Sequence, residues 1–327
     1  MFCGFFKNIQ KSRTNKSLNN KICFKPPYPP QYLITTRESI LSKRGPQNSK
    51  CSFFPNISYI NFPWIESNCY QSKKPSTKNK IVIMHVKNKT IATQENKKTI
   101  LYSHGSSVDL GTLYPKLIDI ATVLKCDIVA YDYTGYGQSE GIFQEKELYT
   151  DIEEVIDFAL VNLGISVSQI TVFGDSIGTV PSFHIVSKPQ YCGVNGMILL
   201  SPIASGNNLI QYVDEELDKE VDIFSTLHII GEVICPVFIM HGKKDQVIPI
   251  EQSVMIAKKI KHIIKWYPNN GTHWNLFTLY RLKTFTKIKK FLSYLDENRN
   301  RLCLRNKVIE ITHESEVDCN TYKKPVI

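Results

Sequence analysis

The chain has 327 residues, 42% of them hydrophobic and 21% charged, with a formal net charge of +10; it can bury a large core, which excludes a wholly disordered protein. No run approaches the ~18 consecutive apolar residues of a membrane-crossing helix, and lysines and asparagines follow Met1 to Phe6 where a signal peptide needs a long apolar stretch. Nine cysteines without a C-x-x-C pair exclude a zinc ribbon or a small disulfide scaffold and fit reduced thiols in a cytosolic setting.

Charge is unevenly spread. Residues 1–98 hold 18 Lys and Arg against Glu38, Glu66 and Glu95, a net of +15, while the rest of the chain is net −5. A basic leading part suits an anionic membrane face, or simply reflects Asn- and Lys-rich composition. No nucleic-acid-binding motif accompanies it. Within it, residues 1–30 form a first zone closing in Cys23-Phe24-Lys25-Pro26-Pro27-Tyr28-Pro29-Pro30, extended or turned because proline excludes helix. Cys3, among Phe2, Phe5 and Phe6, is followed by Lys7, Lys11, Arg13, Lys16 and Lys21. Cys3 and Cys23 are therefore candidate S-acylation sites, the basic residues supplying the second signal that one acyl chain needs for stable anchoring. Phe2 excludes N-myristoylation. The expected location is the cytoplasmic face of membranes as a peripheral protein, otherwise the cytoplasm.

A catalytic domain is expected over residues 31–297, with its core at 99–296. Its leading part shows few strand candidates: Ser58 to Phe62, then Lys80 to Lys87, where Ile81 and Ile83 alternate with Val82, Met84 and Val86. Gln71 to Lys80 reads as a Lys-Ser-Pro loop. From Thr99 strands and helices alternate, which predicts an α/β fold, a mostly parallel sheet covered by helices on both faces. The strand Thr99 to Ser103 ends in His104-Gly105-Ser106-Ser107. A helix at Leu113 to Leu124, a strand at Cys126 to Tyr131 and a helix at Glu147 to Leu163 follow. Between the last two lies Asp132-Tyr133-Thr134-Gly135-Tyr136-Gly137-Gln138-Ser139, which lacks the third glycine of a dinucleotide-binding turn.

The most informative stretch comes next. Gln169 to Phe173 is a strand-like run, Gly174-Asp175-Ser176-Ile177-Gly178 a turn, and Thr179 to Ser187 a helix. A serine on a sharp strand-to-helix turn needs small residues two positions to either side, because strand and helix backbones approach too closely for a Cβ. That geometry exposes the Ser176 oxygen and points the Ile177 N–H beside it. The strand Gly196 to Leu200 is followed by an acidic insertion at about 205–232, placed where a short lid would sit. Pro236 to Met240 then runs into His241-Gly242-Lys243-Lys244-Asp245, and Ile264 to Tyr267 into Asn269-Asn270-Gly271-Thr272-His273. Asp245 and His273 thus fall on loops after strand C-termini, where an open parallel sheet gathers its site.

Serine is a weak nucleophile at neutral pH. His273 is expected to take its proton and Asp245 to orient the imidazole, in the order Ser, Asp, His of this kind of fold. A tetrahedral oxyanion needs two N–H donors: Ile177 supplies one, and the turn after His104-Gly105 the other, at Ser106 or its neighbour Ser107. His104 and His241, each beside a glycine at a strand exit, read as structural. This chemistry calls for no cofactor or metal. Leu276 to Leu295 is expected as a closing amphipathic helix, with a disordered tail at 298–327.

These motifs carry a resemblance. Leu101-Tyr102-Ser103-His104-Gly105, Val108-Asp109-Leu110-Gly111, Tyr131 to Gly137 and Ser176-Ile177-Gly178-Thr179-Val180-Pro181-Ser182, with Ser201-Pro202 and His241-Gly242 through Asp245, resemble the alpha/beta hydrolase domain-containing protein 17 family over about Thr99 to Asp296. The resemblance implies an α/β-hydrolase fold and a serine acyl hydrolase that removes palmitate from S-acylated cysteines of membrane-associated proteins. It also implies Ser176 as nucleophile, Asp245 as acid and His273 as base. Two features depart from that family: Asp175 stands where Gln is usual, and Cys3 and Cys23 stand in place of a dense N-terminal cysteine cluster. The alternatives are a lipid or small-ester hydrolase of the same fold, a serine peptidase and a non-catalytic membrane adaptor.

Overall fold

The computed structural model describes residues 25–36, 48–56, 62–75, 78–91, 97–206 and 224–314, with side chains described as far as residue 298. Cys3, Cys23, the expected strand around Ser58 and most of the expected insertion lie outside these residues. One ten-stranded sheet organises the rest, in the order β1-β2-β3-β4-β6-β5-β7-β8-β9-β10. Its strands are β1 (Tyr32–Thr36), β2 (Asn48–Pro55), β3 (Ile65–Lys73), β4 (Lys80–Asn88), β5 (Thr99–Ser103), β6 (Asp127–Tyr131), β7 (Ile170–Asp175), β8 (Gly196–Leu200), β9 (Val237–Met240) and β10 (Ile263–Trp266).

The six strands from β6 to β10 pair in parallel. Strands β5 to β9 are short apolar runs buried almost end to end, as strands covered on both faces must be. Alternation along them divides the core in two. Ile83, Leu101, Val129, Val172, Leu199 and Ile239 face one cluster, while Met84, Ile100, Ile128, Phe173, Ile198 and Phe238 face the other. The first is covered by α2 (Glu145–Val161), α3 (Thr179–Val186) and α5 (Ile250–Lys259), the second by α1 (Leu110–Leu124) and α6 (Arg281–Glu314). A four-residue helix, α4 (Thr226–Ile229), follows the insertion, beside the buried Phe224.

The alternating α/β reading from Thr99 onward matches this architecture, and the leading part corrects it. Strands β1 to β4 form an antiparallel meander joined to β6 through β4, so 31–97 is far richer in strand than its sequence suggested. Gln71 to Lys73 belong to β3 rather than to a loop. Polar residues along β2 and β3 hide them, because antiparallel strands packed on one side need only one apolar face. The meander is tied to α2 by Lys74, 1% exposed, whose ammonium meets Glu147 at 2.5 Å and Asp151 at 2.7 Å.

Helix α1 begins three residues earlier than its apolar pattern, because Asp109 caps it: its carboxylate accepts from the Thr112 N–H at 2.9 Å. The closing helix starts at Arg281 rather than Leu276 and extends to Glu314, past residue 298 where the tail was expected to begin; residues 315–327 lie outside the described residues. That extension contains no glycine or proline, so local propensity carries it beyond the end of the apolar stripe.

Candidate active site

Strand β7 delivers Ser176 to the sheet's C-terminal edge, and the backbone there is unusual. Ser176 has φ of +56°, a left-handed conformation that costs a side-chain-bearing residue about 1–2 kcal/mol. Ser176–Gly178 form a single 3₁₀ turn leading directly into α3. A Cβ on Gly174 would lie 2.6 Å from the Thr179 Cα, the expected clash of strand with following helix. A Cβ on Gly178 would lie 2.1 Å from the Ser103 carbonyl oxygen. The second glycine is therefore required by neighbouring β5. Two hydroxyls hold the turn: Thr179 Oγ1 donates to the Ser176 carbonyl at 2.7 Å and Ser182 Oγ to that of Gly178 at 2.7 Å.

Past β5 the chain lies against this turn, since a Cβ built on Gly105 would sit 3.8 Å from the Ser176 Cβ. His104 is wholly buried, and its Nδ1 donates to the Gly105 carbonyl at 2.8 Å. That carbonyl shares a peptide plane with the Ser106 N–H, so the imidazole fixes the direction of the N–H. Its Nε2 lies 3.3 Å from the buried Asp132 carboxylate, whose pKa burial raises. The tyrosines of the Asp132 to Ser139 loop brace the same turn: Tyr133 donates to the His104 carbonyl at 2.6 Å and Tyr136 to that of Ser106 at 3.0 Å. Their hydroxyl roles were not readable from sequence.

Asp245 and His273 come together as their loops require. The Lys243 N–H donates to the Pro268 carbonyl and the Lys244 N–H to that of Gly271, joining the loop after β9 to the loop after β10. His273 Nδ1 then donates to Asp245 Oδ2 at 2.8 Å, both side chains being nearly inaccessible. Asp245 Oδ1 accepts the N–H groups of Val247 and Ile248. Burial alone would raise the Asp245 pKa, but hydrogen bonds from His241, His273 and Ile248 prevail and hold it far below the usual carboxylate range. The structure adds Ser201, whose hydroxyl donates to Asp245 Oδ2 at 2.8 Å from a left-handed backbone, φ +47°. Only its Ser-Pro context was visible in the sequence. His241 is structural, bonding Ser253 Oγ at 2.6 Å and the Ile248 carbonyl at 2.9 Å.

Asp175 carries further charge into the site. Its Oδ2 accepts from Tyr102 at 2.8 Å and from the Lys116 ammonium at 2.8 Å. Burial works against the ionised form, yet Lys116, Tyr102 and the nearby His273 lower its pKa. Trp274, 58% exposed, sets its ring edge-on to His273 at 4.6 Å. Among the described residues no group of three or more His, Cys, Asp or Glu side chains could hold a metal ion, and no helix is long and apolar enough to cross a membrane.

Comparison with known proteins bears on the family and the fold. Residues 94–228 match the family model described as serine aminopeptidase, S33. Alpha/beta hydrolase domain-containing protein 17B of Homo sapiens is 31% identical over 225 residues, covering 69% of this chain and 75% of that protein. The 17C protein of Xenopus tropicalis is 33% identical over 199 residues, covering 61% of this chain; the chain spans 63% of that relative's length. Among solved structures, the Pyrococcus furiosus esterase PF2001 aligns with a TM-score of 0.57 at 14% identity, over 73% of this chain and 96% of that one.

Proposed function

Because the chain belongs to the alpha/beta hydrolase domain-containing protein 17 family and has the α/β-hydrolase fold, we propose that it is a serine acyl hydrolase with Ser176, His273 and Asp245 as its triad. Its substrates are S-acylated cysteines of membrane-associated proteins, from which it removes palmitate. The observation that carries this reading is the Asp245–His273 pair, 2.8 Å apart, gathered with a left-handed serine at one sheet edge.

The chemistry follows from the tautomer. With Nδ1 donating to the ionised Asp245, His273 Nε2 is the basic nitrogen. It takes the Ser176 proton as Oγ attacks the thioester carbonyl carbon. The oxyanion is held by the N–H groups of Ile177 and Ser106, the latter aimed by His104. Each such donor contributes about 3 kcal/mol to transition-state stabilisation. Collapse expels the cysteine sulfur, whose pKa near 8.5 makes it a good leaving group, with the proton returned from His273. Water, activated by the same imidazole, then cleaves the acyl-enzyme and releases the fatty acid. The exposed Trp274 ring beside His273 supplies apolar surface suited to an acyl chain.

The test uses the full chain with a fluorophosphonate probe and a palmitoylated cysteine peptide. Wild type is expected to be labelled at Ser176 and to release palmitate; Ser176→Ala is expected to do neither. Because the triad acts as one unit, Ser176→Ala/His273→Ala should be little worse than Ser176→Ala. Palmitate release by Ser176→Ala would overturn the assignment. Hydrolysis confined to oxygen esters would select the lipid or small-ester reading.

A further inference from the structure

Lys116 lies on α1, 59 residues before the carboxylate it binds. Its ammonium is 2.8 Å from Asp175 Oδ2, 4.4 Å from the centre of the Phe277 ring and 5.5 Å from that of Tyr102. Tyr102 also donates to the same oxygen. The cation is thus enclosed by one carboxylate and two aromatic faces, with its side chain 26% exposed, a setting that strengthens both ion pairing and cation–π attraction. Asp175 directly precedes Ser176, and the ammonium that meets it also lies over Phe277, four residues beyond His273.

We propose that Lys116 is a positioning residue of the active site, cancelling the Asp175 charge so that His273 answers to Asp245 alone. This rests on the reading of His273 as the base. An imidazole facing two uncompensated carboxylates holds its proton to higher pH and loses competence as a base where the reaction must run. The charged and titratable groups paired on the two sides of the site are Asp245, bonded to His273 with His241 and Ser201 behind it, and Asp175, bonded to Lys116 and Tyr102. Lys243 and Lys244, on the Asp245 loop, are exposed to solvent and their charges are largely screened. Lys116 is the cation built against the Asp175 carboxylate.

Three variants separate charge from packing. Lys116→Met keeps the stem against Phe277 and Tyr102 but removes the ammonium. Lys116→Arg keeps the charge, and Lys116→Met/Asp175→Asn removes both partners. The His273 ring titration, followed by NMR in the Ser176→Ala background, is expected to move up by about half a pH unit or more in Lys116→Met. It should stay at the wild-type position in Lys116→Arg and in the double variant. With Ser176 intact, the acid limb of kcat/KM should follow, a loss of about threefold below the inflection, as half a pH unit implies. If Lys116→Met fails to fold, Asp175→Asn serves instead, its lone ammonium moving the titration down. An unmoved titration in Lys116→Met, or in Asp175→Asn where that stands in, overturns the proposal. Failure of the serine-hydrolase reading would show separately, as absence of fluorophosphonate labelling in otherwise wild-type protein.

Discussion

Asp245 accepts two backbone N–H groups, a serine hydroxyl and an imidazole N–H, so it is a folding residue as well as an orienting one. Its pKa lies below the unfolded value, so the folded state binds fewer protons than the unfolded chain at acid pH. Its stabilisation is fully present above the ordinary carboxylate range near 4 and is lost as pH falls through and below it. Urea unfolding of wild type and Asp245→Asn should therefore differ most near neutrality and converge towards pH 3. A gap that widens on acidification would contradict the sign. At this scale the sequence was most informative about residues tied to motifs: the elbow glycines, the serine, and the acid and histidine after strand ends. Ser201, Lys116 and the bracing tyrosines were opaque. Their roles depend on which loop meets which across the sheet edge, and no local spacing encodes that.

At the scale of elements, the sharp turn is set both within its strand–turn–helix unit, at Gly174, and against neighbouring β5, at Gly178. The Ser103 carbonyl occupies the space a Cβ on Gly178 would need, so Gly178→Ala must push β5 and β7 apart. We expect a loss of about 3 kcal/mol in chemical denaturation together with most fluorophosphonate labelling, since the two N–H groups proposed as oxyanion donors flank this junction. Unchanged stability would show that the strands yield freely. The parallel strands were readable because burial on both faces writes them as apolar runs. The meander β1 to β3 was not, because a strand packed on one face near a sheet edge can carry Lys, Ser and Asn without cost. Helix α6 was misjudged at both ends, its start hidden by turns at 276–280 and its end by an apolar stripe that stops before the helix does.

Taken whole, the chain has a basic leading part and one ten-stranded sheet, with the candidate site at the C-terminal ends of its parallel strands. The leading 98 residues carry net +15, and basic residues near an anionic leaflet contribute about 1 kcal/mol each, less as salt rises. Fractionated cells should show wild type on membranes, while Cys3→Ser and a variant neutralised at Lys7, Lys11, Arg13 and Lys16 shift towards the soluble fraction. If wild type is soluble, or both variants stay bound as firmly, the two-signal anchor is wrong. Fold class was legible at this scale from strand–helix alternation alone.

The left-handed backbone at Ser176 sets activity against endurance. Any side chain there bears the same conformational cost, and glycine alone escapes it. Ser176→Gly and Ser176→Ala should be equally dead, yet the glycine form should be more stable by about 1 kcal/mol, melting a degree or two higher. Selection for thermal robustness alone would therefore remove the proposed nucleophile, and recovered inactive variants bearing glycine at 176 would be its signature.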